Sequence, residues 1–192
     1  MTRVTVIYYS VTGNVQALAE AAAAGATDAG AEVRLLPVAD ATNADLEWAD
    51  VVLFGTPSHY GTIAAELNRF IDGTGKLWLA GKLAEKVYGA FVASASTHGG
   101  QETTLVNFST IFSHWGGIIV PPGFTAPIPV PVHLQSSNPH GASHIVGLGQ
   151  QPGPLALDAA RYQAQRAVSV AARLAVAPAL TSVDDTPTAM TG

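Results

Sequence analysis

Three short stretches of this chain collect the residue types that hold small polar ligands. Ser10-Val11-Thr12-Gly13-Asn14-Val15 offers two hydroxyls, a glycine that lets backbone approach closely, and the free N–H groups opening a helix. That combination makes an anion site suited to a lone phosphate monoester. It carries no Lys or Arg and so matches neither the P-loop nor the G-x-G-x-x-G dinucleotide loop, a pattern absent throughout. The same residues would also serve as a plain helix cap and turn. Thr56-Pro57-Ser58-His59-Tyr60-Gly61-Thr62 adds backbone amides and an aromatic ring. Ser94-Ala95-Ser96-Thr97-His98-Gly99-Gly100 adds amides and small side chains without bulk. A flat heterocycle with polar edges fits between the two. Tyr60 also reads as a rim residue, and His59 and His98 as solvated or hydrogen-bonded loop histidines.

Each stretch follows an apolar run that reads as a strand. Arg3 to Tyr9 is β-branched and aromatic, and Asn14 to Ala29 is rich in helix formers before Gly30. Glu32 to Leu36 alternates and ends at Pro37. A brief helix runs to Trp48. Val51 to Phe54 is continuously apolar and predicts a central parallel strand ending at Gly55. Ile63 to Ile71 is helical, Lys86 to Ala93 is the fourth strand, Gln101 to Trp115 is a helix, Ile118 to Val120 is the fifth strand, and Leu155 to Ala175 is a last helix. Strands alternating with helices in this way predict an α/β doubly wound parallel sheet with helices on both faces. Ligands of such sheets bind beyond the carboxyl ends of the strands, where all three loops fall. Pro121 to Pro154 is rich in proline and then glycine. It is too long for a plain connection and reads as an ordered, functional loop, with His133, His140 and His144 among its residues.

The chain's 192 residues suit one domain, 1–176, followed by a disordered tail, 177–192. Hydrophobic residues make up 48% and charged residues 12%. So sparse a charge predicts surface covered by sister subunits. Net charge is −5 with no basic stripe, which argues against nucleic acid. No apolar run approaches the roughly 18 residues of a membrane span, and no signal peptide is visible. With no cysteine, thiolate chemistry is excluded and a cytoplasmic home is expected. Metal and hydrolase readings are weak. No helical His pair flanks a carboxylate, there is no G-x-S-x-G elbow, and Ser143-His144 lacks an acidic partner.

Taken in order, these loops with Phe70-Ile71-Asp72-Gly73-Thr74-Gly75-Lys76-Leu77-Trp78, Thr97-His98-Gly99-Gly100-Gln101-Glu102-Thr103, His114-Trp115-Gly116, Val120-Pro121-Pro122-Gly123, Asn138-Pro139-His140-Gly141-Ala142-Ser143 and Ala160-Arg161-Tyr162-Gln163 resemble the WrbA-type NAD(P)H:quinone oxidoreductases of the flavodoxin-like superfamily. The resemblance runs from about Arg3 to Leu174. It implies a five-stranded parallel sheet in the order 2-1-3-4-5, FMN as cofactor, NADH or NADPH as donor, a quinone as acceptor, and a homotetramer whose subunits complete one another's sites. By the same resemblance Ser10 to Val15 hold the FMN phosphate, Ser58 to Tyr60 and Ser94 to Gly99 flank the isoalloxazine, Pro57 and Gly61 complete the cofactor-binding set, His114 also touches the flavin, and Trp78 stacks on the substrate side. The implied reaction is a ping-pong hydride transfer with no obligatory side-chain acid or base. A one-electron carrier of the flavodoxin type is the alternative. Some members have an aromatic residue where this chain has Thr12, and Arg-Phe where it has His59-Tyr60; those side chains help seat the nicotinamide cofactor.

Overall fold

The structure, a computed structural model, describes residues 1–126, 138–147 and 149–175. The expected tail, 177–192, and His133 lie outside the described residues. In chain order the elements are β1 (Arg3–Tyr8), α1 (Asn14–Asp28), β2 (Glu32–Pro37), α2 (Asn43–Trp48), β3 (Val51–His59), β4 (Thr62–Ile63), α3 (Ala65–Asp72), α4 (Gly75–Leu79), β5 (Val87–Ser94), α5 (Gln101–His114), β6 (Ile118–Ile119), β7 (Ser143–Ile145) and α6 (Pro154–Leu174). The five strands expected from sequence are β1, β2, β3, β5 and β6. They lie in the order β2-β1-β3-β5-β6, all parallel, which is the 2-1-3-4-5 order.

Strand alternation sorts the core into two layers. Val4, Val6, Val51, Leu53, Val87 and Phe91 face α1 and α6. Ile7, Val52, Phe54, Tyr88 and Val92 face α2, α3 and α5. The second layer is aromatic, with Phe54 stacked on Phe108 at 5.7 Å and Tyr88 on Phe112 at 4.9 Å between centroids. Buried Tyr88 gives its hydroxyl to Leu83 O at 2.7 Å, and burial raises its pKa. In the first layer a Cβ at Gly25 would sit 2.4 Å from Arg161 O, so glycine there lets α1 and α6 cross closely.

One strand end needs correction, and one strand lies where only a loop was expected. The third strand does not end at Gly55. It continues to His59, because Thr56 and Pro57 still pair with Val92 and Ala93, and then turns back through Tyr60 (φ 54°) and Gly61 (φ 78°) into β4. Two residues with positive φ form the primed turn that matches strand twist. The fifth strand lies where expected, and a further strand, β7, falls inside the segment read as a loop. β6 pairs with Val87 and Tyr88, while β7 pairs with Val92, Ala93 and Ser94 on the same strand, with residues 120–142 intervening.

Candidate cofactor site

Beyond the carboxyl ends of β1, β3 and β5 lies a cleft of about 250 Å³. Ser10, Val11, Thr12, Asn14 and Val15 line it from the first loop, Pro57, Ser58 and His59 from the second, and Ser94 and Ala95 from the third. Ala93 and Val146 complete the wall, Val146 being held by its N–H on Ser94 O at 2.7 Å.

The first loop is not a side-chain helix cap. Gly13 occupies the N-cap of α1 at φ 82°, no side chain caps it, and a Cβ there would meet nothing. Asn14 Nδ2 donates instead to Thr12 Oγ1 at 2.8 Å. Ser10 Oγ and Asn14 Oδ1 are buried with no partner in the chain. Buried polar atoms rarely stay unpaired without cause, and here one unmet donor and one unmet acceptor face a loop whose first-turn amides are also free. This fits a phosphorylated polyol, and the lack of a cation fits a monoester.

The second and third loops touch directly. A Cβ at Gly100, where φ is 81°, would lie 2.4 Å from Gly61 Cα. Gly61 therefore serves the turn and this contact. Ser58 Oγ donates to Gly99 O at 2.6 Å. The third loop winds around one carbonyl: Ser96 O accepts from Ser94 Oγ at 2.9 Å, Gln101 Nε2 at 3.1 Å and Gly99 N at 3.0 Å. A Cβ at Gly99 would strike Ser94 Cβ at 2.6 Å, so only glycine closes that ring. Ala95, Ser96, Thr97 and His98 remain exposed on the loop, and Tyr60 is wholly exposed at the hairpin tip.

Trp78 and His114 are together but elsewhere. Trp78 Nε1 donates to His114 O at 2.8 Å, and His114 Nδ1 lies 2.9 Å from Thr110 O. α5 starts beside the cleft at Gln101 and ends at His114, so at ~1.5 Å per residue His114 stands roughly 20 Å from it. Both residues lie at the amino ends of β5 and β6.

Residue reasoning from sequence missed buried Thr104, which contacts Ser58; Thr56, read as a loop residue, is instead a buried strand residue whose Oγ1 accepts from Ala64 N at 3.1 Å and anchors the hairpin's return. Hydroxyls inside helical or strand patterns carry no signal of such long-range partners. A larger groove of about 580 Å³ adjoins the cleft through Ser10, between Tyr9, Phe70 and Arg69. Tyr9's pKa is raised there by its hydrogen bond to the Glu66 carboxylate and by desolvation. Among the described residues no group of three or more His, Asp or Glu is placed to hold a metal, and no helix is long and apolar enough to cross a membrane.

The sheet order and three loops converging at its carboxyl edge define a flavodoxin-like α/β protein. A WrbA-like flavodoxin from Agrobacterium tumefaciens superposes with a TM-score of 0.67 at 26% identity, over 90% of this chain and 99% of that one. The family described as NADPH-dependent FMN reductase matches residues 40–128. An NAD(P)H dehydrogenase (quinone) from Sinorhizobium fredii is 37% identical over 91% of this chain and 100% of its own length. Another from Deinococcus radiodurans is 34% identical over 90% of this chain and 96% of its length. The chain belongs to the NAD(P)H dehydrogenase (quinone) family.

Proposed function

We propose that this protein is an FMN-dependent NAD(P)H:quinone oxidoreductase of the cytoplasm, working as a homotetramer of one-domain chains. The observation that carries the reading is the buried, unpartnered hydroxyl of Ser10 in a cation-free loop at the opening of α1. Bound FMN would supply the redox chemistry, a two-electron ping-pong exchange between NADH or NADPH and a quinone. The chain supplies placement. Ser10, Val11, Thr12, Gly13, Asn14 and Val15 hold the phosphate end through amides and hydroxyls. Pro57, Ser58, His59, Tyr60 and Gly61 on one side and Ser94, Ala95, Ser96, Thr97, His98 and Gly99 on the other confine the ring and its polar edges. Trp78 and His114, remote from the cleft of their own chain, reach a sister subunit's flavin, with Trp78 stacking against the substrate. No side chain acts as an obligatory acid or base.

The test begins with purified protein reconstituted with FMN, monitored by its visible spectrum. Anaerobic NADH or NADPH should bleach the flavin within the turnover time, and added quinone should restore the colour. A protein that takes up no FMN removes the reading. One that binds FMN yet bleaches only when a separate reductase is supplied is a one-electron carrier instead.

A further inference from the structure

The two loops flanking the cleft are joined by a hydroxyl that lies outside it. Thr104, fully buried on the first turns of α5, places Oγ1 3.0 Å from Ser58 Oγ and 2.8 Å from Gly100 O. Ser58 in turn donates to Gly99 O at 2.6 Å. Two hydroxyl protons thus face three acceptors. Gly100 O already accepts from Thr104 N at 3.0 Å, whereas Ser58 Oγ has Thr104 as its donor, so the arrangement that leaves least unmet runs from Thr104 to Ser58 to Gly99 O. Each bond in such a chain polarises the next.

Backbone contact brings the two loops together, and the hydroxyl chain is the side-chain link across that contact. Gly61 and Gly100 meet without side chains, and the third loop is already closed around Ser96 O. The Gly99 carbonyl thus accepts from the Ser58 hydroxyl on the second loop, and Ser58 accepts in turn from Thr104.

We propose that Thr104 is a positioning residue of the cofactor site: acting through Ser58, it fixes the Gly99 carbonyl and the spacing of the two flanking loops, and so sets FMN affinity and flavin potential. This rests on the FMN reading above. Thr104→Val removes the hydroxyl at nearly constant volume, and Thr104→Ser keeps it. FMN is titrated into each apoprotein by fluorescence quenching, the flavin midpoint potential is measured in each holoprotein, and the apoproteins are melted.

Thr104→Val should weaken FMN about tenfold, the worth of one hydrogen bond, and shift the potential, with apoprotein melting close to wild type. Thr104→Ser should keep both values near wild type. If Thr104→Val fails to fold, Thr104→Ala, which deletes the hydroxyl without adding a methyl, must move both readouts the same way. A hydroxyl-free variant with wild-type affinity and potential overturns the proposal. So does Thr104→Ser impaired as much as Thr104→Val, which would assign the effect to packing. Wild-type apoprotein that takes up no FMN instead overturns the functional reading and this inference with it.

Discussion

Ser10 carries a hydroxyl that its own chain leaves without a partner, inside a loop otherwise tied by Asn14 to Thr12. Burying an unmet hydroxyl costs about 1–3 kcal/mol, a penalty that a phosphate oxygen would relieve. Ser10→Ala should therefore act with opposite sign on the two states. The apoprotein should melt at the same temperature or slightly higher, while FMN affinity falls roughly 10- to 100-fold, as expected for a lost hydrogen bond to a charged group. Paired melting curves with and without FMN check this. Equal destabilisation in both states would mean that Ser10 serves only the fold. That Ser10, Thr12 and Gly13 fall in the turn between strand and helix was legible in the sequence, where an anion loop and a plain helix cap read alike. Which hydroxyl stands unmet was not, because that depends on Asn14 choosing Thr12.

The gap between β6 and β7 explains a glutamine that the sequence marks only as part of a motif. Between the stretch of β5 paired with β6 and the stretch paired with β7, Ala90 O accepts from Gln163 Nε2 at 3.0 Å. Gln163 Oε1 accepts from Ala142 N at 2.8 Å. The side chain, reaching from α6, stands in for the missing rung, and Gly141 allows the approach, since a Cβ there would lie 2.2 Å from Ala90 O. Gln163→Leu strands two buried backbone groups and should cost about 2–5 kcal/mol in chemical unfolding. Amide exchange should quicken first in residues 142–146. A loss below about 1 kcal/mol, or uniform exchange, would refute the role. Helices and long strands were legible because their apolar periods run unbroken. The β3–β4 hairpin and β7 were not. Pro57 and the glycines read as loop, and only pairing across the sheet keeps Thr56 and Pro57 extended. Periodicity also has no reach across the residues that separate β6 from β7.

Charge pairs secure the amino edge of the sheet and give folding a pH dependence. Partial burial alone would raise the Asp50 pKa, but the Arg3 guanidinium, at 3.0 Å, and the Arg3 amide outweigh it and hold the group below its ordinary 3.8. Asp45 is likewise lowered, burial being outweighed by Thr42 and by Arg34 at 2.8 Å. A carboxylate with a depressed folded pKa contributes stability above its unfolded value and loses it as pH falls through the folded one. Unfolding free energy should thus be flat near neutrality and decline below about pH 4. Asp50→Asn should be less stable than wild type at pH 7, with the gap closing in acid. A gap independent of pH would exclude the ionised carboxylate as its source.

The proposed tetramer can be tested at Trp78. The residue is 48% exposed, its indole bonded to His114 O, and roughly 20 Å of α5 separates that end from the cleft of the same chain. Leu79 beside it is more exposed still. A half-exposed tryptophan next to a second apolar side chain is costly on a solvated surface and useful against a neighbour. Under the tetramer reading, Trp78→Ala leaves the monomer fold intact and leaves FMN in its cleft. It removes the stacking partner of the substrate, worth up to about tenfold in the quinone KM. The control is dilution: wild-type activity per flavin should drop toward that of Trp78→Ala as sedimentation shows the assembly dissociating. Unchanged quinone KM in an intact Trp78→Ala tetramer, or activity that survives dissociation undiminished, would confine each site to a single chain.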